Sequence, residues 1–297
     1  MENSCPICGC IENKIIGIPK TNPISSRFIK REHYVVSCKN CNSYYVLPTI
    51  TFTAEQWEIL YSANYFTTQT KWLIKKRQKE LIRRFDKAQK LAKHNIIKFL
   101  DIGVGEGRGI LEAEKRGWET TGLDIVDNRI KDARDGAINF IIGDFLHTNF
   151  YNNSFDFIYL DSVLEHVINP LEYLIKIRDL LNNGGIIYIG IPNEDSLFNF
   201  IRRIIFYLVG WGKISVKLKP FDIPYHVVGF NKKSLFYIIK KVGLKPIRIY
   251  NIGRKFEFLY SDPFSKGFWI NLLFLFPIEF LGKFFRKDIY YSVYLSK

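Results

Sequence analysis

The stretch Phe99-Leu100-Asp101-Ile102-Gly103-Val104-Gly105-Glu106-Gly107 decides how this chain folds. Ile96 to Leu100 reads as a short buried strand. It runs into a glycine turn, and a helix follows to about Arg116. Glycine lets a backbone pass close to a ligand and take conformations closed to other residues. In an open α/β sheet such a turn lies at the carboxyl edge, where ligands bind.

Outward from this turn the chain alternates strands and helices. Strands are predicted at residues 120–125, 139–142, 155–160 and 186–191. Asn169, Pro170 and Glu172 open a helix with a cap residue, a first-turn proline and a first-turn acid, and Gly184-Gly185 ends it. Residues 231–242 form a helix stopped by Gly243, and 244–250 and 289–295 are closing strands. That rhythm predicts an α/β, doubly wound, mostly parallel sheet.

The residues around the turn select its ligand. A dinucleotide fingerprint needs a third glycine at position 108, where this chain has Arg108. Asp101 just before the glycines would repel a pyrophosphate. It favours an ammonium and a sulfonium, which S-adenosylmethionine carries without any phosphate. Asp124, ending Gly122-Leu123-Asp124, stands where a carboxylate accepts bonds from ribose hydroxyls. Asp144, in Gly143-Asp144-Phe145, ends the third strand and is placed to accept from an adenine amino group, with Phe145 flanking the ring.

Residues 96–195 resemble the class I S-adenosylmethionine-dependent methyltransferases. The resemblance rests on Asp101 to Gly107, Gly122 to Asp124, Gly143-Asp144, the run from Phe155 to His166 and the run from Leu181 to Asn193. The last two runs are similar to the small-molecule branch, which includes ubiquinone-type O-methyltransferases and many sugar and polysaccharide methyltransferases. The resemblance implies a Rossmann-like sheet of seven strands whose last strand is antiparallel. It also implies that Asp101 lies near the methionine amine and that Gly103 and Gly105 pass beneath the cofactor. By the same resemblance Asp124 holds the ribose, Ile125, Asp144 and Phe145 contact the adenine, and Asp161 lies close by.

Methyl transfer to oxygen or nitrogen needs a proton acceptor. His166, after the fourth strand, is the leading candidate, with a packing role as its alternative. His226, in Pro224-Tyr225-His226, could enter the site from a lid or be an ordinary loop residue. The position after the fourth strand reads Asp161-Ser162-Val163-Leu164, without the Pro-Pro-aromatic motif of amino-methylating nucleic-acid enzymes. No cysteine follows Cys41, which excludes a cysteine nucleophile for pyrimidine C5.

The five cysteines lie in the first 41 residues. Cys5-x2-Cys8 and Cys38-x2-Cys41 form two knuckles, the four-thiolate set of a structural Zn²⁺. Cys10 is left as a spare or alternative ligand. A disulfide pair is the rival, disfavoured in a reducing, cytoplasmic compartment. A cysteine-rich module before such a domain resembles deoxysugar methyltransferases and certain ribosomal RNA guanine methyltransferases.

The expected organisation is a zinc-ribbon-like module (1–52), a helical connector (53–95) and a methyltransferase domain (96–297). That domain carries an aromatic insertion at 196–226 and an aromatic segment at 256–286. The connector shows Leu73, Leu81, Phe85, Ala88 and Leu91 at helical spacing among lysines and arginines. Residues 268–285 are the most apolar stretch, but Asn271, Pro277, Glu279 and Lys283 make it a poor membrane span. The aromatic segments therefore read as a buried lid and a packing helix, with a membrane-surface contact as the alternative. The net charge of +14 would suit RNA, anionic lipid or a phosphorylated substrate. A small-molecule acceptor, such as a sugar, a polysaccharide precursor or a lipid-linked hydroxyl, is the favoured reading. An RNA methyltransferase is the alternative, and a non-catalytic scaffold with a degenerate cofactor fold is the third.

Overall fold

The structure, a computed structural model, describes residues 4–61, 71–136, 138–253 and 264–297. At the N-terminus β1 (Asn13–Gly17), β2 (Tyr34–Cys38) and β3 (Tyr44–Leu47) pair antiparallel. Next, α1 (Ala54–Leu60) starts at a reciprocal cap between Thr53 and Gln56. The long α2 (Lys71–Leu91) buries Leu81, Phe85 and Ala88 and leaves Lys75, Arg77, Lys79 and Arg83 in solvent. The side chain of Leu73 lies outside the described residues. The ring of Phe85 meets Phe99 at 5.2 Å, Phe157 at 5.2 Å and Trp118 at 5.6 Å. Burying one such ring contributes about 1.5–3 kcal/mol, so this contact fastens α2 to the sheet.

The βα units follow: β4 (Lys98–Ile102), α3 (Arg108–Lys115), β5 (Glu119–Asp124), α4 (Lys131–Arg134), β6 (Asn139–Ile142), β7 (Phe155–Asp161), α5 (Pro170–Leu180) and β8 (Leu181–Pro192). Then come α6 (Leu197–Leu208), β9 (Val228–Gly229), α7 (Lys232–Val242), β10 (Lys245–Ile252), α8 (Lys266–Ile270), α9 (Phe276–Phe284) and β11 (Tyr290–Ser296). The main sheet has the order β10-β11-β8-β7-β4-β5-β6. Its central pairs are parallel, and β11 is antiparallel to both neighbours. Strands β4 and β7 are buried nearly throughout because helices cover both faces. This is the expected α/β Rossmann-like sheet of seven strands with an antiparallel last strand.

Several boundaries differ from expectation. The first strand begins at Lys98, because the Ile97 and Lys98 amides are taken by the Asp156 carboxylate, both at 2.9 Å. It extends to Ile102, pairing with Leu123. Helix α5 stops at Leu180, four residues before the glycines. The glycines lie inside β8, where the register against β7 shifts, as at a bulge. A Cβ on Gly185 would stand 2.7 Å from the Asp156 carbonyl oxygen. Asn169 occupies the cap position of α5 but makes no side-chain cap bond.

A strand from the C-terminal half of the chain completes the sheet of the cysteine module. β9 pairs with β3 and completes a four-stranded sheet of order β1-β2-β3-β9. Single bridges join Ile18 to Ile214 and Thr21 to Phe221. Asn231 Nδ2 donates to the Asn42 carbonyl at 2.8 Å, and Lys241 Nζ to that of Ile7 at 3.2 Å.

The helical parts of the aromatic segments are not buried, contrary to expectation, whereas Val216, Leu218, Phe221 and Tyr225 of the insertion are. Nothing in α6 is buried. Helices α8 and α9 run on through a π-turn (Asn271–Leu275) as one helix from Lys266 to Phe284. Among the described residues it is the one helix long and apolar enough to cross a membrane by length and composition, and almost none of it is buried. It packs beside α6 rather than beneath the sheet. Residues 256–263 of the expected aromatic segment, and 62–70 of the connector, lie outside the described residues.

Candidate active site

The parallel strands end side by side, and their carboxyl ends open into one cavity of about 1420 Å³. Asp101, Gly103, Gly105, Asp124, Ile125, Asp144, Phe145, Asp161, His166 and His226 all line it.

The glycine turn is shaped by backbone need. Gly103, Gly105 and Gly107 have φ of 76°, 53° and 85°, the left-handed region that side chains avoid. A Cβ on Gly103 would also stand 2.5 Å from Cγ2 of Val163. One on Gly109 would run into the Asp101 carboxylate. Arg108 turns aside to pair with Glu106 at 2.9 Å.

The acids differ in their surroundings. Asp101 is buried, and burial, then the Asp124 and Asp161 carboxylates, push its pKa well above the usual carboxylate range. A cation beside it would relieve all three effects. Asp124 accepts the Gly105 amide at 2.8 Å through Oδ2 and the Ile125 amide at 2.7 Å through Oδ1. Burial raises its pKa, and these amides partly oppose the rise. Both oxygens keep a lone pair for ribose hydroxyls. Ile125 stands half exposed beside it. Asp144 accepts the Leu146 amide at 2.8 Å and faces His147 Nδ1 at 3.2 Å. The Phe145 ring is buried, 5.1 Å from Tyr173 and 6.3 Å from Phe150, so it faces inward rather than lying open over the cavity.

Asp161 is held differently. It pairs with Arg84 and accepts from Tyr290 at 2.7 Å and Tyr159 at 3.1 Å. Burial opposes its charge, but Arg84 and the two hydroxyls outweigh burial and keep its pKa below the usual range. Its neighbour Ser162 has φ of 62°, a conformation that costs a non-glycine residue about 1–2 kcal/mol. Tyr225, immediately before His226, shares that value. Strain of this kind collects at functional sites.

The two histidines meet although 60 residues separate them in sequence. Their ring centroids are 4.9 Å apart, edge to face. His166 Nδ1 lies 3.0 Å from the Tyr61 hydroxyl. Burial lowers the His166 pKa to about 4, against a carbonyl of Tyr225 that favours the charged ring. Burial, then the His166 and Lys219 charges, lower that of His226 well below 6.5. Glu165, overlooked in the sequence, is buried with neither oxygen hydrogen-bonded among the described residues. Its Oε1 lies 3.9 Å from His226 Nε2, and burial raises its pKa well above the usual range. Glu194 adds a second buried acid to the wall, raised to about 8 by burial against Lys217 and Arg202. Tyr61, Arg84 and Tyr290 were equally unsignalled, since distant elements bring them in.

The cysteines form a separate cluster. One sulfur from each of Cys5, Cys8, Cys38 and Cys41 lies within 4.8 Å of the others. Cys5 and Cys41 are 3.6 Å apart, and Cys8 and Cys38 3.4 Å. Tetrahedral zinc with bonds of ~2.3 Å sets sulfurs about 3.8 Å apart, so the four could hold one ion. The Cys38 thiol is pushed up to about 12, chiefly by burial, and the Cys41 thiol is pushed up chiefly by its bond to Cys5. A cation would reverse that resistance to ionisation. Cys10 lies outside the group, its sulfur 3.8 Å from the Glu12 carbonyl.

Comparison with known proteins agrees with this geometry. Residues 100–189 match the family described as a methyltransferase domain. Phosphoethanolamine N-methyltransferase 2 of Caenorhabditis elegans is 25% identical over 166 residues, 53% of this chain and 35% of that protein. An uncharacterised protein of Methanocaldococcus jannaschii is 32% identical over 154 residues, 50% of this chain and 66% of that protein. The chain thus spans between 35% and 66% of the length of these two curated relatives. A solved structure from Pyrococcus horikoshii OT3 shares the fold, with a TM-score of 0.50 and 16% identity over 83% of this chain and 99% of that one. Residues 100–189 therefore match the methyltransferase-domain family, and they lie on a Rossmann-like α/β sheet of the kind the Pyrococcus horikoshii structure also has.

Proposed function

We propose that the protein transfers a methyl group from S-adenosylmethionine to a small-molecule hydroxyl, on a sugar, a polysaccharide precursor or a lipid-linked acceptor. The observation that carries this is Asp101, a buried acid crowded by two other carboxylates at the glycine turn. Such a site rejects phosphates and takes a cation. S-adenosylmethionine, when bound, supplies a methyl group on a positively charged sulfur. Asp101 would attract its ammonium end and Asp124 its ribose, while Ile125 and Asp144 border the adenine.

His166 and His226 do the proton work. Burial keeps both rings neutral at neutral pH, so each has a lone pair to offer. His166 accepts the proton of the acceptor hydroxyl, a role worth about 10²–10⁴ in rate. Glu165, its Oε1 3.9 Å from His226 Nε2, is the acid that borders this pair. Zinc on Cys5, Cys8, Cys38 and Cys41 would be structural, since four thiolates leave no open position.

The test supplies a donor with a labelled methyl group and three acceptor pools: nucleotide sugars, a lipid extract and RNA. Label in the sugar or lipid pool supports the reading. Label confined to RNA would replace it with the RNA methyltransferase alternative.

A further inference from the structure

Helices α6 and α8–α9 lie side by side, and each uses two opposite faces. Phe198 and Arg202 of α6 line the cavity, as do Asn271, Leu275 and Glu279 of the second helix. These recur every four residues, which is one face of a helix. The outer faces are apolar and exposed. On α6 they carry Phe200, Ile204, Tyr207 and Leu208, at spacings of four, three and one. On the second helix they carry Ile270, Leu273, Phe274, Leu281 and Phe284, again at helical spacing. Leu208 is 76% exposed, Phe274 65% and Phe284 78%. Two adjacent helices showing mostly apolar side chains to solvent, with Arg203, Lys266 and Lys283 among them, exceed the scattered exposure normal for a monomer.

Among the described residues, the exposed charges around this surface are of one sign. Arg203, Lys213, Lys266, Lys283, Arg286 and Lys287 are exposed around it. The acid of α9, Glu279, faces the cavity instead. An apolar face edged by lysine and arginine matches the interface of a bilayer with anionic headgroups. A second copy of the chain would bring these cations against their own kind. Crossing the bilayer would put Asn271 and Glu279 into hydrocarbon, at high cost. Lying flat leaves them on the cavity.

We propose that the outer face of α6 and α8–α9 docks in the plane of an anionic lipid membrane, so that a lipid-anchored acceptor enters the cavity from behind that face. The docking itself is independent of the methyltransferase reading; the acceptor class rests on it.

Sedimentation with vesicles tests the docking. The full chain should pellet with equimolar phosphatidylcholine and phosphatidylglycerol, and much less with phosphatidylcholine alone. The double variant Leu208→Asp/Phe274→Asp changes two exposed side chains and should bind the mixed vesicles at least about tenfold more weakly. S-adenosylmethionine binding, measured by calorimetry on the same samples, should be unchanged. A wild-type chain that stays in the supernatant, or a double variant that pellets equally, overturns the proposal. So does a wild-type dimer that the variant dissolves without any vesicle binding. Absent cofactor binding in both samples would instead count against the methyltransferase reading and leave the docking result standing.

Discussion

Asp101 and Asp161 end neighbouring strands, β4 and β7, yet their surroundings give them opposite characters. Asp161 keeps its charge because Arg84, Tyr159 and Tyr290 surround it. Asp101 has its charge opposed by burial and by like-charged neighbours. The positions of these acids, and of Asp124 and Asp144, were legible in the sequence because strand ends follow from apolar runs. Their partners were not, since Arg84 and Tyr290 reach Asp161 from elements 77 and 129 residues away. The same holds for the histidine pair. Burial holds His166 at a pKa of about 4, against 6.5 for an ordinary imidazole. Between those values the unfolded chain binds a proton that the folded chain refuses, so acid in that window destabilises the fold. His166→Asn removes this penalty. Its melting temperature relative to wild type should rise as the pH falls from about 7 to about 5. A difference that stays constant in thermal scans over that range would contradict the buried, neutral ring.

Helix α7 shows how a local signal acquires a second use. Asn231 caps it, accepting the Ser234 amide at 3.0 Å, while the Ser234 hydroxyl receives the Asn231 amide at 3.0 Å. Gly243 closes the other end at φ of 81°. Both ends were readable, because caps depend on residues one turn apart. The bond from Asn231 to the Asn42 carbonyl, beside the second cysteine knuckle, was not. Asn231→Ala therefore loses a cap and a buried link together, and should destabilise the chain by about 2 kcal/mol in urea denaturation. A loss below about 0.5 kcal/mol would mean that neither bond matters. The end of α5 was misread for a related reason. Gly184-Gly185 looks like a helix stop, but both glycines lie in the strand irregularity of β8, Gly185 against Asp156 and Gly184, at φ of 85°, against Lys93. Helices α6 and α8–α9 stood out in sequence only as aromatic stretches, and composition cannot say which neighbour an apolar face meets.

The chain works as two sheets tied by one return path. Residues 214–229 leave α6, cross to the cysteine module, complete its sheet through β9 and deliver His226 to the cavity on the way. The module thereby helps to position the site without entering it. The sequence indicated the module through its cysteine spacing and the large sheet through its strand-helix rhythm. It could not reveal their union, which rests on a two-residue strand with no periodicity of its own. Basic residues are exposed on the outer face of α2, on α7 and around the exposed helices, while the cavity floor is acidic. Cationic surroundings and an acidic floor together favour an acceptor steered from outside and a cofactor that is itself positive. Titration calorimetry of the intact chain with S-adenosylmethionine and, separately, with NADH decides the matter. Binding of the sulfonium compound, lost by at least about a hundredfold in Asp124→Ala, with no heat from NADH, is the predicted result. A chain that binds NADH and ignores S-adenosylmethionine would contradict it.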